Sequence, residues 1–315
     1  DGFSYSDSAK SYEIYSENLG LSYSIKNLLM GDFELHELNL RKPYIYLNLN
    51  KKISNKSKPD SSRKSDKIFE LSSLNIEDGT IEIVEGNFRY LIKDLNINGS
   101  FLLDGKDMTI GVRSGGFNYP LRDLKLEGLS GTISHTENGW SFESLQFTAL
   151  DCDVFATGWM ETTDNLQMGF DVAADINSFG ELFKFLGQNA KLEGKVSIVG
   201  NVGGSLSDLG FNFSGYGEAG GRNFSELNLS GGYTGDLLEL VNFDGKIAGT
   251  SFEGNGSVTR DGNFDASIKV RDLDLYELAF SEFRTDINGA ARFRGKGYTK
   301  EKLILEGEIE ITSSK

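Results

Sequence analysis

Apolar and polar residues alternate with a period of two along nearly the whole chain, and this pattern restricts it to β structure with one greasy face. The last strand shows it best. Leu303, Leu305, Gly307, Ile309 and Ile311 share one parity, whereas Lys302, Ile304, Glu306, Glu308 and Glu310 share the other. Ile45, Leu47 and Leu49 repeat the pattern within Tyr44-Ile45-Tyr46-Leu47-Asn48-Leu49-Asn50, as do Ile81 and Ile83 after Thr80, and Ile268 and Val270 within Ser267 to Arg271. Between these runs stand turn signals: Glu77-Asp78-Gly79, Asp104-Gly105, Glu137-Asn138-Gly139 and Arg260-Asp261-Gly262-Asn263. The spacing predicts about twenty strands of roughly 5–9 residues.

Composition agrees. There are 38 Gly but only 3 Pro in 315 residues, with 22 Phe and 12 Tyr. Tight turns are frequent, yet little interrupts the ladders, and the aromatic rings suit pleated surfaces. Helical periodicity occurs once, at Phe179 to Leu186, after Asn177-Ser178 as candidate N-caps. Leu182, Phe183 and Leu186 would form its apolar stripe, either in ordinary packing or as a plug over a sheet edge.

The pattern also repeats. Leu192 to Gly200 aligns with Ile287 to Gly295, and upstream of them Phe170 to Ile176 aligns with Phe264 to Val270. A shorter unit recurs as Leu35-x-x-Leu38-x-Leu40, Leu71-x-x-Leu74-x-Ile76 and Leu121-x-x-Leu124-x-Leu126. In the first two copies a turn, at Pro43 and Gly79, leads into an alternating strand. Repeats of this kind are expected to extend along one axis rather than close into a globule.

The net charge of −15 disfavours nucleic acid, whose phosphates such a surface repels. Seven Lys and Arg gather in Lys51 to Lys67, KKISNKSKPDSSRKSDK, which reads as a flexible basic loop. A solvated insertion explains it better than contact with anionic lipid headgroups. The chain begins at Asp1 with no charged-then-apolar leader, as a processed chain or an excised segment would. A membrane anchor, where there is one, is expected outside it.

No constellation suggests catalysis. His36 and His135 stand far apart and read as surface polar residues. Cys152, between Asp151 and Asp153, has no neighbour at metal-ligand spacing. Asp104-Gly105-Lys106-Asp107 and Asp261 to Asp265 lack calcium-loop spacing and read as hairpin turns. Gly215-Tyr216-Gly217 and Gly220-Gly221 lack the setting of a nucleotide loop. The expectation is a non-enzyme with no cofactor and no metal.

The string from Leu28 to Leu47, LLMGDFELHELNLRKPYIYL, resembles the start of the AsmA/TamB group of bacterial envelope proteins. Phe69 to Ile83, FELSSLNIEDGTIEI, is similar to that family's second such unit, and Leu237 to Leu278 to its strand-turn modules. The resemblance implies an all-β, elongated, twisted and incompletely closed antiparallel β-groove, taco-like, with at most one or two short helices. Residues 1–50 would begin the groove, 51–67 form the basic loop, and 68–315 continue it. It implies intermembrane transport of phospholipids through the periplasm, with acyl chains on an apolar lining and an inner-membrane anchor beyond this chain. A role as an envelope scaffold or outer-membrane-protein assembly factor, with an outer-membrane protein as partner, is the alternative. The lining residues expected are Ile45, Leu47, Leu49, Ile81, Ile83, Ile268, Val270, Leu303, Leu305, Ile309 and Ile311. A β-sandwich or closed solenoid with the same residues as a dry core would alternate equally well.

Overall fold

A computed structural model describes residues 2–6, 12–24, 35–48, 68–161, 166–185, 193–205, 207–277, 282–297 and 304–314. Leu49, Leu186, Leu303, the Leu28 to Glu34 string and the basic segment Lys51 to Lys67 lie outside the described residues. The chain forms two compact units, Asp1–Thr157 and Gly158–Lys315.

The first unit contains β1 (Phe3–Ser6), β2 (Tyr12–Ser16), β3 (Asn18–Tyr23), β4 (Leu35–Arg41), β5 (Tyr44–Asn48), β6 (Ile68–Glu85), β7 (Phe88–Asp104), β8 (Asp107–Tyr119), β9 (Leu124–Thr136) and β10 (Gly139–Ala149). β6 to β10 form an antiparallel meander. The alternation settles which way each side chain faces, because residues directly opposite in paired strands share a face. One register row therefore reads Leu71, Phe101, Ile110, Ile133 and Phe142 across five strands, and the next reads Phe69, Leu103, Met108, His135 and Trp140.

β4 and β5 both run parallel to β6 in one continuous register: Leu38 faces Leu74, Leu40 faces Ile76, Ile45 faces Ile81 and Leu47 faces Ile83. The first two copies of the short repeat are thus stacked side by side. The third copy does not join them; Leu121 sits in a 3-10 turn (Pro120–Arg122), and Leu124 and Leu126 pair with Tyr119 and Phe117 of β8.

Glu77-Asp78-Gly79 is not the turn the sequence suggested. It lies inside β6, an 18-residue strand. Lys42, between β4 and β5, Asp78 in β6 and Asp94 in β7 adopt left-handed conformations (φ 47°, 55° and 51°), so the chain bends at all three while β6 and β7 continue through the bend. The bend keeps its hydrogen bonds. The Lys42 N–H donates to Glu77 O (2.7 Å), the Thr80 N–H to Pro43 O (2.7 Å), and the Asp78 N–H to Asn96 Oδ1 (3.2 Å). Pro43 is fully buried beneath it. By contrast, Asp104-Gly105, Glu137 to Gly139 and Arg260 to Asn263 do connect hairpins.

β11 (Cys152–Met160) carries the boundary between the units. The second unit continues with β12 (Gln167–Ile176), α1 (Phe179–Phe185), β13 (Gly194–Ser205), β14 (Asp208–Ala219), β15 (Arg222–Thr234), β16 (Leu237–Ile247), β17 (Thr250–Thr259), β18 (Asn263–Leu273), β19 (Ile287–Lys296) and β20 (Ile304–Ser314). β12 to β20 pair strictly in order and antiparallel, and no pairing among the described residues returns from β20 to β12. The sheet is open, not a closed barrel. The long repeat is now legible as architecture: β12 with β13 and β18 with β19 are equivalent pairs. α1 fills the first connection, capped by Ser178 Oγ, which accepts from the Gly180 N–H (3.2 Å).

Candidate functional site

The apolar face of the second unit is built from rows that cross the sheet. One runs Val172, Gly200, Phe213, Leu229, Phe243, Gly254, Ile268, Ala291 and Ile309 over nine strands. The row beside it reads Phe170, Val202, Phe211, Gly231, Leu240, Gly256, Ala266, Phe293 and Gly307. Both contain only apolar residues and glycine. β14 shows the local cause: Leu209, Phe211 and Phe213 are half-buried, whereas Asn212, Ser214 and Tyr216 between them are exposed.

Four of the five glycines in these rows lie beneath rings: a Cβ on Gly200 would stand 2.6 Å from Phe213, on Gly231 2.9 Å from Phe211, on Gly254 2.8 Å from Phe243, and on Gly307 2.8 Å from Phe293, whereas Gly256 meets Ala266. Gly245 and Gly295, on flanking rows, lie under Phe252 and Phe264 in the same way. Each missing side chain lets a neighbouring ring lie down along the sheet, so the face is covered in carbon yet kept low. The Phe positions were not among those expected from the sequence. The signal that marks them is a Gly and a Phe of the same parity on successive strands.

This face is not a filled core. Among the described residues of the second unit, Val196, at 7% exposure, is the one buried apolar side chain. The ring and aliphatic residues of the rows on β12 to β19 are only half-buried, and Leu305, Ile309 and Ile311 on β20 are open to solvent, Ile309 at 73%. In a dry core of this size such residues would be almost wholly covered.

In the first unit the expected residues Ile45, Leu47, Ile81 and Ile83 also share one half-buried apolar face. Ile14 and Tyr12 extend it on β2, and Ile92 and Tyr90 on β7. A small true core lies farther along this unit, with Leu71 (3% exposed), Leu95 and Val112 buried. The structure brings Ile45 against Ile81, Leu47 against Ile83, and Ile268 into one row with Ile309; Val270 shares the next with Gly289 and Ile311.

The opposite face is polar. Asn39, Asn75 and Asn98 form a cross-strand amide ladder: Asn75 Nδ2 donates to Asn39 Oδ1 (2.7 Å), and Asn98 Nδ2 donates to Asn75 Oδ1 (2.5 Å). Glu82, only 5% exposed, accepts from Tyr44 Oη (2.6 Å) and from Arg89 Nη2 (2.8 Å). Burial pushes the Glu82 carboxyl upward, but the bonds from Arg89 and Tyr44 outweigh it and hold it below the usual range. The same bond to Glu82 raises the Tyr44 phenol to about 12. A cavity of about 710 Å³ opens beside Asn75, Asn96, Asn98 and Asn118, amides already bonded to neighbouring groups.

His135 departs from the surface role expected of it. It is half-buried on the apolar face, its ring edge-on to Trp140 at 4.6 Å. His36 is exposed on β4. Cys152 is buried, and burial first, then Asp151 and Asp153, pushes its thiol up, which disfavours the reactive thiolate. Among the described residues no His, Cys, Asp and Glu group has the arrangement of a metal site, and no helix is long and apolar enough to cross a membrane. Comparison with protein-family models, with curated proteins and with solved structures finds no match.

Proposed function

We propose that the apolar face shields phospholipid acyl chains from water and lets them move along it. The observation that carries this reading is the nine-strand run of apolar rows left only half-buried. A sixteen-carbon chain in water is unfavourable by about 12 kcal/mol, at about 0.8 kcal/mol per methylene, so a carrier must offer continuous apolar cover. Nine strands at about 4.8 Å spacing provide roughly 40 Å of such surface. That is well beyond the ~15 Å a single acyl chain occupies in one leaflet.

The lining also suits movement. No buried polar group interrupts the two central rows, so a chain displaced by one strand meets the same chemistry. Rings laid over glycines offer flat contact and no deep pocket to hold one lipid in place. The carrier breaks no bond, and the reading needs neither catalytic residue nor cofactor. With the resemblance described above, it puts the chain in the periplasm, moving glycerophospholipid between inner and outer membranes.

Native mass spectrometry of the gently purified chain tests the reading. Adducts with the masses of glycerophospholipids are expected, and they should diminish in the Ile268→Asp variant. A chain that stays free of lipid after incubation with phospholipid vesicles would refute it.

A further inference from the structure

We infer that His135, Trp140 and the Lys106–Glu137 ion pair, at one rim of the first unit's apolar face, seat the headgroup of a zwitterionic phospholipid. The inference rests on the lipid reading above and names the lipid this rim selects. β9 and β10 place His135 directly opposite Trp140, and Met108 and Leu103 continue the row on β8 and β7. The two rings meet edge-on at 4.6 Å, which fixes their orientation. Both are half-buried.

This row and the next one inward, where Ile110, Ile133 and Phe142 stand, are otherwise carbon and sulfur. Among the described residues of β6 to β10, His135 and Trp140 are the only side chains of the two rows that can donate a hydrogen bond. Neither the His135 imidazole nitrogens nor the Trp140 indole N–H has a hydrogen-bond partner among the described residues. No buried side-chain nitrogen there is left unpaired, so both groups reach the surface and are open to a ligand. An apolar face with unpaired donors at its rim suits an amphiphile, with acceptor oxygens at the rim and hydrocarbon inward.

Charge decides which headgroup fits. Lys106 and Glu137, in the two hairpins just beyond the row, form an exposed ion pair, Lys106 Nζ to Glu137 Oε1 at 2.8 Å. Asp104 and Asp107, also exposed, flank Lys106. The rim is therefore net negative, as the whole chain is, and it repels a headgroup whose only charge is a phosphate. A phosphodiester joined to an ammonium escapes that repulsion. Its phosphate oxygens accept from His135 and Trp140 and face Lys106, while its ammonium faces Glu137. The zwitterion lies head to tail against the ion pair, and each end meets its opposite charge.

Native mass spectrometry of the full chain tests the seat. The chain is incubated with vesicles holding equal amounts of palmitoyl-oleoyl phosphatidylethanolamine and phosphatidylglycerol, which share acyl chains and differ in headgroup. Singly loaded chains should carry phosphatidylethanolamine about fivefold more often, the effect of roughly one net hydrogen bond. His135→Phe with Trp140→Phe keeps the rings but removes the donors, and should abolish the preference while total loading stays the same. Glu137→Lys, in an exposed turn, should shift the preference toward phosphatidylglycerol. Soluble glycerophosphoethanolamine should give no adduct, because the acyl chains supply most of the affinity. Equal loading of the two lipids by the native chain, or a preference unchanged in either variant, would overturn the seat and leave the acyl-chain reading standing. Tight binding of glycerophosphoethanolamine would also overturn it, by marking a site for a free zwitterion. Loading with neither lipid would end both readings.

Discussion

Phe213 lies across Gly200 of the neighbouring strand: a Cβ on that glycine would stand 2.6 Å from the ring's Cδ1, and closer still to the carbonyl oxygen of Asn212. Glycine here is a packing requirement. It lets the ring lie flat while the ladder stays intact, and the pairing recurs at Phe243 with Gly254 and Phe264 with Gly295. Gly200→Ala should lower stability by about 1–3 kcal/mol, since ring and backbone must both move. Gly210, with no atom nearer than 3.8 Å to a Cβ, supplies the control. Gly210→Ala should be neutral or slightly stabilising, through the reduced freedom of the unfolded chain. Urea unfolding of the two variants measures the contrast.

Two charge insertions separate an open face from a filled core. Ile268 is only half-buried, whereas Val196 is buried. Ile268→Asp should cost about 1 kcal/mol and leave a folded chain, because its carboxylate can reach water. Val196→Asp should cost more than about 4 kcal/mol, from burying an unpaired charge. Circular dichroism with urea unfolding reads both. Were Ile268→Asp to unfold the chain as Val196→Asp does, the face would be dry and the lipid reading would fail with it.

The Tyr44–Glu82–Arg89 cluster makes stability depend on pH at both ends. The folded Glu82 carboxyl lies below its ordinary value of 4.5. Its contribution is therefore complete above that value and is lost as pH falls through the depressed one. Tyr44 is raised from 10.0 to about 12, so its contribution is complete below 10.0 and is lost as pH rises through about 12. Glu82→Gln should flatten the acid limb of a plot of unfolding midpoint against pH. Tyr44→Phe should flatten the alkaline limb and cost about 1–2 kcal/mol at neutral pH.

The amide ladder predicts coupling between strands. Asn75 both donates to Asn39 and accepts from Asn98, so Asn75→Ala removes both ladder bonds, with a longer one to Ser73 Oγ (3.4 Å), and should cost about 1–2 kcal/mol. Asn98→Ala should cost less once Asn75 is already alanine. A double-mutant cycle that comes out additive would mean the ladder contributes nothing as a unit.

Much of this architecture was legible in the residues. Alternation in β5, β18 and β20 gave the strands and the facing of Ile45, Leu47, Ile268, Val270 and Ile309, because a pleated strand turns successive side chains to opposite sides. The repeat from Leu35 to Leu40 and Leu71 to Ile76 announced two stretches that now lie in register. Glu77-Asp78-Gly79 misled for a physical reason. Asp and Gly favour left-handed backbone wherever it is needed, and a bend within a strand needs it as much as a hairpin does. Only the neighbours Lys42, Pro43 and Asn96, which supply hydrogen-bond partners there, let β6 continue.

The sequence by itself determined a chain of strands with one apolar face and one polar face. The tertiary structure decided which residues meet across the ladders: Phe213 over Gly200, Tyr44 and Arg89 on Glu82, His135 against Trp140. Register sets those meetings, and register belongs to pairs of strands rather than to either one. It also decided that the second unit's apolar face is half-open. An open face and a filled core bear the same alternation, and they differ only in whether anything lies above the side chains.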